Sequence, residues 1–292
     1  MRILFFGDIF GKPGREALKF IIPQWKKEYE PDVIIANGEN MSHGAGISES
    51  AIKELMSAGV QIITGGNHTL EGKNASNLLN DASLPLLRPA NMSSELPGRG
   101  FGFYRIGNNP LDPARGRELG IMDGPENANL LVINLIGQVH MRYQYDSPFK
   151  AIDEILQDPT LKSERSGLVK IVDWHADASS EKIALGWYLD GRVSAVLGTH
   201  SHTPTADERI LPKGTSFVSD IGMIGPHNSI IGQEISANLE RFIKQIPKKV
   251  EVAPAPPYEI NAVFLETDEK TGKTIKIQRI RKIIHENLAR NE

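Results

Sequence analysis

Residues that can bind metals or transfer protons occur at five places in the sequence, each beside a run of apolar residues. They are Gly7-Asp8, Gly38-Glu39-Asn40, Gly66-Asn67-His68, His175 and His200-Ser201-His202. Together they supply two carboxylates, two carboxamides and four imidazoles. A pair of divalent ions needs a shared carboxylate, further oxygen ligands and imidazole nitrogens. This set of residues therefore predicts a two-metal site.

The amino-acid composition limits the chemistry of such a site. None of the 292 residues is cysteine, which excludes disulfides, thiolate zinc sites, iron–sulfur clusters and cysteine nucleophiles. Oxygen and nitrogen ligands are compatible with manganese, iron, zinc or cobalt, and ligand type alone does not choose among them. The 33 Lys and Arg against 36 Asp and Glu give a net charge of −3, so we expect no bulk binding of nucleic acid.

The apolar runs of the sequence are short. The longest, Ile3 to Phe6 and Leu130 to Ile136, fall far below the roughly 18 residues that a membrane span needs. The amino terminus lacks the long apolar region and small-residue cleavage site of a signal peptide. We therefore expect a cytoplasmic protein that does not associate with a membrane.

The elements that must position the polar clusters alternate along the chain. The first half predicts strands at 3–6, 33–36 and 61–64 and helices at 15–29 and 48–58, in βαβαβ order. Ser48 fits a helix N-cap and Gly59 a helix end. A second alternation follows, with strands at 168–174 and 193–197 around a helix at 179–189. Ligands of α/β sheets bind outside the carboxyl ends of the strands, so the five clusters should converge.

The remaining segments predict additions to this α/β unit. Residues 107–129 are rich in Asn, Pro, Gly and charge, which predicts a mobile inserted surface loop. A C-terminal β-hairpin is expected at about 259–284, and the whole chain, 1–292, is expected to form a single domain. Trp174 and Trp187 both lie in apolar patterns, so both are expected in the core.

Five ordered segments resemble the YmdB-like branch of the calcineurin-like metallophosphoesterases: GDIFGKPGR, NGEN, GGNH, HADASSEK and GTHSHTPTAD. The resemblance covers the chain to about residue 284, apart from the polar insert. It implies a four-layer α/β/β/α sandwich with two metal ions at the strand ends, and a homo-oligomer. It also implies 2′,3′-cyclic nucleotides or similar small phosphodiesters as substrates, and phosphodiester hydrolysis as the reaction.

The same resemblance implies a ligand set. Asp8, Asn40 and His202 would hold the first metal, Asn67, His175 and His200 the second, and Glu39 would bridge them. The first segment departs from most of the superfamily, because Ile9 and Phe10 follow Asp8 where a histidine is usual. Asn40 replaces that histidine in the YmdB-like branch. A neutral amide oxygen in place of an imidazole predicts a weaker first site with partial occupancy.

The implied mechanism uses two iron or manganese ions, with zinc or cobalt also compatible. A hydroxide shared by the ions would attack the phosphorus, since each ion lowers the pKa of bound water. His68 follows the ligand Asn67 and is placed to protonate the leaving oxygen as general acid.

Other motifs support weaker alternatives. GDIFGKPG is one residue short of a phosphate-binding P-loop, and Pro13 stands where Ser or Thr would hold magnesium. Ser201 lacks a nucleophile elbow. His43 either faces substrate or is solvated, and Lys12 and Arg15 either contact phosphate or lie on a solvated helix face. His140 and His227 are not counted as metal ligands.

Two functions compete with a phosphodiesterase. One is a phosphomonoesterase or nucleotidase on the same site. The other is a regulatory protein that binds a nucleotide or RNA with little turnover, using the insert near Arg115 and Arg117 as a partner surface. The relative turnover of diesters and monoesters distinguishes a phosphodiesterase from a phosphomonoesterase. An RNA-binding assay with a steep salt response tests the regulatory role.

Overall fold

The computed structural model describes residues 1–108, 117–158 and 167–288. Within them the helices are α1 (Gly11–Tyr29), α2 (Glu49–Ala58), α3 (Ala75–Asn80), α4 (Pro148–Gln157), α5 (Ser179–Tyr188) and α6 (Ile235–Lys244). The strands are β1 (Arg2–Ile9), β2 (Val33–Asn37), β3 (Ile62–Thr64), β4 (Phe101–Asn108), β5 (Arg117–Met122), β6 (Leu130–Ile136), β7 (Val169–His175), β8 (Ala195–Thr199), β9 (Arg209–Ile210), β10 (Ser216–Val218), β11 (Met223–Pro226), β12 (Tyr258–Thr267) and β13 (Thr274–Ile284).

These strands form two mixed sheets. The first has the order β13-β12-β11-β1-β2-β3 and the second has the order β5-β4-β6-β7-β8-β10-β9. The central strands β11, β1, β2 and β3 run parallel, as do β6, β7, β8 and β10. All carboxyl ends of the central strands in one sheet therefore lie at one edge of that sheet.

Three apolar cores separate four layers. One core lies between the first sheet and the helices α1, α2 and α3. The second lies between the two sheets, where Phe5 and Leu197 are both fully buried. The third lies between the second sheet and the helices α4 and α5. The predicted α/β/β/α sandwich is thus confirmed.

Local sequence signals explain the helix boundaries. In α2 the Ser48 side chain accepts a hydrogen bond from Ala51 N at 3.4 Å, and Gly59 ends the helix with a φ of 111°. Helix α1 begins at Gly11, four residues before the predicted start at Arg15. Pro13 fits this first turn because its missing N–H would have no partner inside the helix.

Two sequence predictions need correction. Part of the polar stretch 107–129 is a strand rather than a loop, because β5 pairs antiparallel with β4 at the edge of the second sheet. Residues 109–116 of that stretch, which include Arg115, lie outside the described residues. Trp174 is fully buried, but Trp187 is 52% exposed near the end of α5. Leu185 and Gly186 belong to the face of the helix that packs in the third core, whereas Trp187 is exposed, as are Ile183 and Tyr188.

None of the helices in the described part of the chain is both long enough and apolar enough to cross a bilayer.

The C-terminal strands β12 and β13 pair antiparallel from Tyr258↔Ile284 to Thr267↔Thr274. Strand β12 also pairs with β1, so this pair extends the first sheet.

Candidate metal centre

The five polar clusters meet where the two sheets present the carboxyl ends of their central strands. In the first sheet Asp8 is in register with Asn37, two residues before Glu39. In the second sheet His175 is in register with Thr199, directly before His200. The structure brings together all the residues that the sequence proposed as ligands: Asp8, Glu39, Asn40, Asn67, His175, His200 and His202.

A buried carboxylate ties the two sheets together beneath this cluster. Asp173 of β7 accepts hydrogen bonds from Asn37 Nδ2 at 2.9 Å and Thr64 Oγ1 at 2.5 Å, both from the first sheet. Its other oxygen accepts from Thr199 Oγ1 at 2.7 Å. Each sheet therefore holds the other in register at the edge that carries the site.

The candidate ligands form two groups that share one residue. Ligand atoms of Glu39, His175 and His200 lie within 4.8 Å of one another, and so do those of Asp8, Glu39 and His202. Glu39 is common to both groups, and only 1% of its side chain is exposed. One carboxylate with two oxygens is the residue type that can join two neighbouring ions.

The atoms around His175 are mostly electron-pair donors. His175 Nε2 lies 2.9 Å from Asn67 Oδ1, 3.0 Å from His200 Nδ1 and 3.2 Å from Glu39 Oε2. His175 Nε2 either carries one hydrogen or has one lone pair. These three contacts can therefore include only one hydrogen bond at that nitrogen. A cation between these atoms would satisfy them together.

Two ring tautomers follow from the surrounding hydrogen bonds. The Thr199 hydroxyl donates to Asp173, so its oxygen accepts from His175 Nδ1 at 3.0 Å. His202 Nδ1 donates to the Ile231 carbonyl at 2.9 Å. In the neutral form of each ring, Nε2 then keeps its lone pair and faces the cluster.

The charges of the cluster depend strongly on one another. Burial opposes the charged form of His175, but Glu39 and Asp8 raise its pKa to about 9. Burial also opposes ionisation of Glu39, yet His175 holds the pKa of that carboxyl well below its usual range. Burial and the neighbouring His175 lower the pKa of His200 to about 3. The protonated His175 thus supplies the positive charge that balances the neighbouring carboxylates. A bound metal ion would supply that charge instead and displace the proton.

Further observations fit a metal ion. Asp8 is fully buried, and burial raises its pKa to about 6 against the attraction of His202 and His175. Asp8 Oδ1 has no hydrogen-bond partner within the described chain, although leaving a buried carboxylate oxygen unpaired is costly. A Cβ on Gly66 would lie 2.2 Å from Glu39 Oε2 and 2.5 Å from His175 Nε2, so only glycine lets the chain pass here.

The Asn40 carboxamide contacts two members of the group formed by Asp8, Glu39 and His202. Its Nδ2 lies 2.9 Å from Glu39 Oε1 and 3.1 Å from His202 Nε2. A half-turn of the amide would exchange nitrogen for oxygen at nearly the same place. The residue can therefore present an oxygen to the same ion as His202.

A buried ion pair supports the two histidines that follow β8. Lys182 Nζ donates to the Thr199 carbonyl at 2.8 Å and to Asp220 Oδ2 at 2.6 Å. Asp220 Oδ2 also accepts from Ser201 N at 3.0 Å. His200 and His202 have left-handed φ angles of 102° and 62°, a conformation that non-glycine residues adopt only when neighbouring contacts hold it.

His68 lies beside the cluster rather than within it. Its backbone N–H donates to Glu39 Oε2 at 3.0 Å, while its ring is 34% exposed. Nδ1 lies 3.0 Å from Glu71 Oε1, within ion-pair distance but without the geometry of a hydrogen bond, so Nδ1 has no hydrogen-bond partner among the described residues. Glu71 was not among the residues predicted for the site, although its position three residues after His68 is a signal for a contact across a turn.

The other titratable residues singled out from the sequence lie elsewhere. Lys12, Arg15 and His43 line a separate cavity of about 500 Å³. Arg15 Nε pairs with Glu54 at 2.5 Å. His227 Nδ1 bonds to Glu259 Oε2 at 2.7 Å. None of these residues belongs to either group of candidate ligands found among the described residues.

Replacing Thr199 with valine tests the support of His175. Valine has nearly the same shape but removes the oxygen that holds Nδ1 and the ring orientation. We expect about 10- to 100-fold weaker binding of Mn²⁺ in calorimetric titrations, the usual cost of losing a hydrogen bond that orients a ligand. The exposed Thr203 provides the control, as Thr203→Val. Equal affinities in the two variants would contradict this role of Thr199.

Comparisons with known proteins agree with this geometry. A family model described as YmdB-like protein matches residues 4–280. A protein of Bacillus subtilis (strain 168) named 2′,3′-cyclic-nucleotide 2′-phosphodiesterase is 39% identical over 280 residues, covering 96% of each chain. A crystal structure described as a novel phosphatase from Mycoplasma pneumoniae has a TM-score of 0.81 at 32% identity, covering 97% of this chain and 93% of that one.

A more distant structure shares the fold. The calcineurin-like phosphoesterase YfkN from Bacillus subtilis gives a TM-score of 0.54 at 12% identity, over 100% of this chain and 91% of that chain. The sandwich is thus the calcineurin-like phosphoesterase fold. With the family model spanning nearly its whole length, the chain belongs to the YmdB-like family.

Proposed function

We propose that this protein is a metal-dependent phosphodiesterase that hydrolyses 2′,3′-cyclic nucleotides or similar small phosphodiesters. The observation that carries this proposal is the buried Glu39, which is shared by two groups of metal-binding side chains at one edge of the sandwich. Paired metal sites of this kind act on phosphate esters. The name of the Bacillus subtilis relative supports the cyclic diester as the substrate class.

The proposed ligands follow the two groups. Asp8, Asn40 and His202 would hold one divalent ion, and Asn67, His175 and His200 the other, with Glu39 between them. When bound, the ions would supply positive charge to the phosphate and an acidified water as nucleophile. Imidazole, carboxylate and amide ligands are compatible with iron or manganese, which we propose as the native metals, and also with zinc or cobalt.

The protein's own contribution to the reaction is positioning and proton transfer. Five of the seven candidate ligands are buried, which keeps their geometry fixed, so little reorganisation is needed during the reaction. His68 would donate a proton from Nε2 to the leaving oxygen, with the Glu71 carboxylate 3.0 Å from Nδ1 as the nearest negative charge on that side of the ring. Lys182 and Asp220 would keep the strained segment 200–202 in place.

The first experiment compares three substrates. Mn²⁺-loaded protein is assayed with 2′,3′-cyclic AMP, bis(p-nitrophenyl) phosphate and p-nitrophenyl phosphate, with and without a chelator. We expect chelator-sensitive turnover of both diesters, at a higher kcat/KM than that of the monoester. Absence of diester turnover in protein with two bound ions would overturn the proposal.

A monoesterase is the second candidate, because the Mycoplasma pneumoniae relative is described as a phosphatase. The same assay distinguishes it, since it would favour p-nitrophenyl phosphate. Nucleotide or RNA binding without turnover of any of the three esters would instead point to a regulatory role. The homo-oligomer and the cytoplasmic location expected from the sequence stay predictions.

A further inference from the structure

Residues 137–146, here called the Tyr145 segment, leave the second sheet next to the candidate metal centre. The last residue of β6, Ile136, is in register with His175, and Gly137 N donates to the His175 carbonyl at 2.9 Å. Asn91 Nδ2 donates to the carbonyls of Ile136 and Asp146, at 2.7 and 2.8 Å. Both ends of the segment are therefore fastened, and the segment has a defined place beside His175.

The segment also reaches the other side of the centre. Arg142 Nη1 lies 3.9 Å from Glu71 Oε1, the atom that contacts His68 Nδ1 at 3.0 Å. His68 N in turn donates to Glu39. The Tyr145 segment thus extends from the His175 side to the side of the proposed general acid.

The hydroxyl of Tyr145 is buried and has no hydrogen-bond partner among the described residues. Leaving a buried hydroxyl without a hydrogen-bond partner destabilises the folded protein, so its retention needs a reason. Burial, and then the nearby Tyr143 and Glu39, raise the pKa of Tyr145 to about 12. The hydroxyl therefore keeps its proton at neutral pH and can donate it in a hydrogen bond to an anion.

Tyr143 gives the segment an exposed aromatic face. Its side chain is 55% exposed, and its ring stands edge-on to Tyr145 with centroids 6.2 Å apart. The Arg142 guanidinium lies over the Tyr143 ring at 5.2 Å. An exposed aromatic ring with a neighbouring cation is a surface on which nucleic-acid bases stack.

We propose that the Tyr145 segment binds the nucleotide part of the substrate: Tyr145 Oη donates a hydrogen bond to a phosphoryl oxygen, and Tyr143 packs against the base. The inference rests on the proposed function for its substrate class. It assigns to this segment the selection of nucleotides over diesters that lack a base.

The hydroxyl is tested with Tyr145→Phe, which removes only the oxygen. Tyr104 provides a matched control, because its hydroxyl is also buried and unpartnered but lies in the apolar core between the sheets. For Tyr145→Phe we expect kcat/KM for 2′,3′-cyclic AMP to fall by about 10- to 100-fold, as for a lost hydrogen bond to a charged group. Tyr104→Phe is expected to match the wild type.

Equilibrium binding provides a second readout that needs no turnover. Mn²⁺-loaded variants are titrated calorimetrically with inorganic phosphate and with adenosine 3′-monophosphate. Tyr145→Phe should weaken both ligands, whereas Tyr143→Ser should weaken only the nucleotide, by about 10-fold. Trp187→Ser serves as the control for an exposed aromatic residue, because Trp187 lies near the end of α5 that points away from His175.

The outcomes separate this inference from the proposed function. If the wild type hydrolyses no diester but shows the expected binding pattern, the proposed function fails and the nucleotide-binding role stands. If it hydrolyses cyclic AMP and Tyr145→Phe and Tyr143→Ser behave like their controls, the role of the segment is overturned. A lower Mn²⁺ content in Tyr145→Phe would also overturn it, since that result indicates a structural effect on the centre.

Discussion

A Glu39→Ala variant is expected to lose metal-dependent diester hydrolysis, with a fall in kcat/KM on the order of 10³-fold or more. Glu39 is the residue shared by both groups of candidate ligands, so its removal weakens both sites together. It also removes the carboxylate that raises the pKa of His175, leaving that buried ring without its main electrostatic partner. The measurement is steady-state hydrolysis of 2′,3′-cyclic AMP together with the bound Mn²⁺ per chain.

Two further variants show whether charge or shape carries this effect. Glu39→Gln keeps the shape of the side chain but cannot balance two divalent ions, and it should lose nearly as much activity as alanine. Glu154→Gln, on the exposed face of α4, removes one carboxylate far from the centre and should retain wild-type turnover. Two bound ions and near-normal activity in Glu39→Ala would show that Glu39 is not the shared ligand.

Replacing His68 with alanine should make the rate depend strongly on the leaving group. A general acid contributes about 10²- to 10⁴-fold when the leaving oxygen is strongly basic. For 2′,3′-cyclic AMP, whose leaving group is a ribose alkoxide, kcat should fall by about 10²-fold or more. For bis(p-nitrophenyl) phosphate the fall should be less than about 10-fold, because a nitrophenolate departs without a proton.

The metal content distinguishes this role from damage to the centre. Because only the backbone N–H of His68 contacts Glu39, the alanine variant retains that hydrogen bond and should bind Mn²⁺ like the wild type. Glu71→Gln removes the negative charge that lies 3.0 Å from Nδ1 and should show a milder form of the same leaving-group dependence. Equal losses with both substrates would exclude His68 as the proton donor.

Much of the fold could be predicted because the relevant signals are local. Ser48 and Gly59 mark the ends of α2 within a few residues, and the spacing of apolar residues distinguishes strands from helices. The meeting of the polar clusters was also predictable, because parallel strands present their carboxyl ends at one edge. The exact place of Asp8 could not be predicted from the sequence, because β1 does not end before Asp8 but continues through it to Ile9.

The rest of the site depends on contacts between distant parts of the chain. Lys182 and Asp220 pair across 38 positions, and neither residue type alone indicates a buried partner. Tyr145 lies in a polar stretch that resembles any surface loop, and only the pairing of Ile136 with His175 shows that this stretch begins beside the candidate centre. Strand β5 escaped prediction because an edge strand needs only one neighbour and tolerates polar residues.

The bonds from Asn37 and Thr64 to Asp173 join two sheets that each carry only part of the candidate metal centre. The first sheet supplies Asp8, Glu39, Asn40 and Asn67, whereas the second supplies His175, His200 and His202. Neither sheet carries the full set of candidate ligands by itself. A fluctuation that slides one sheet over the other would therefore separate the candidate ligands before the chain unfolds. Turnover therefore depends on how well the two sheets keep their position relative to each other.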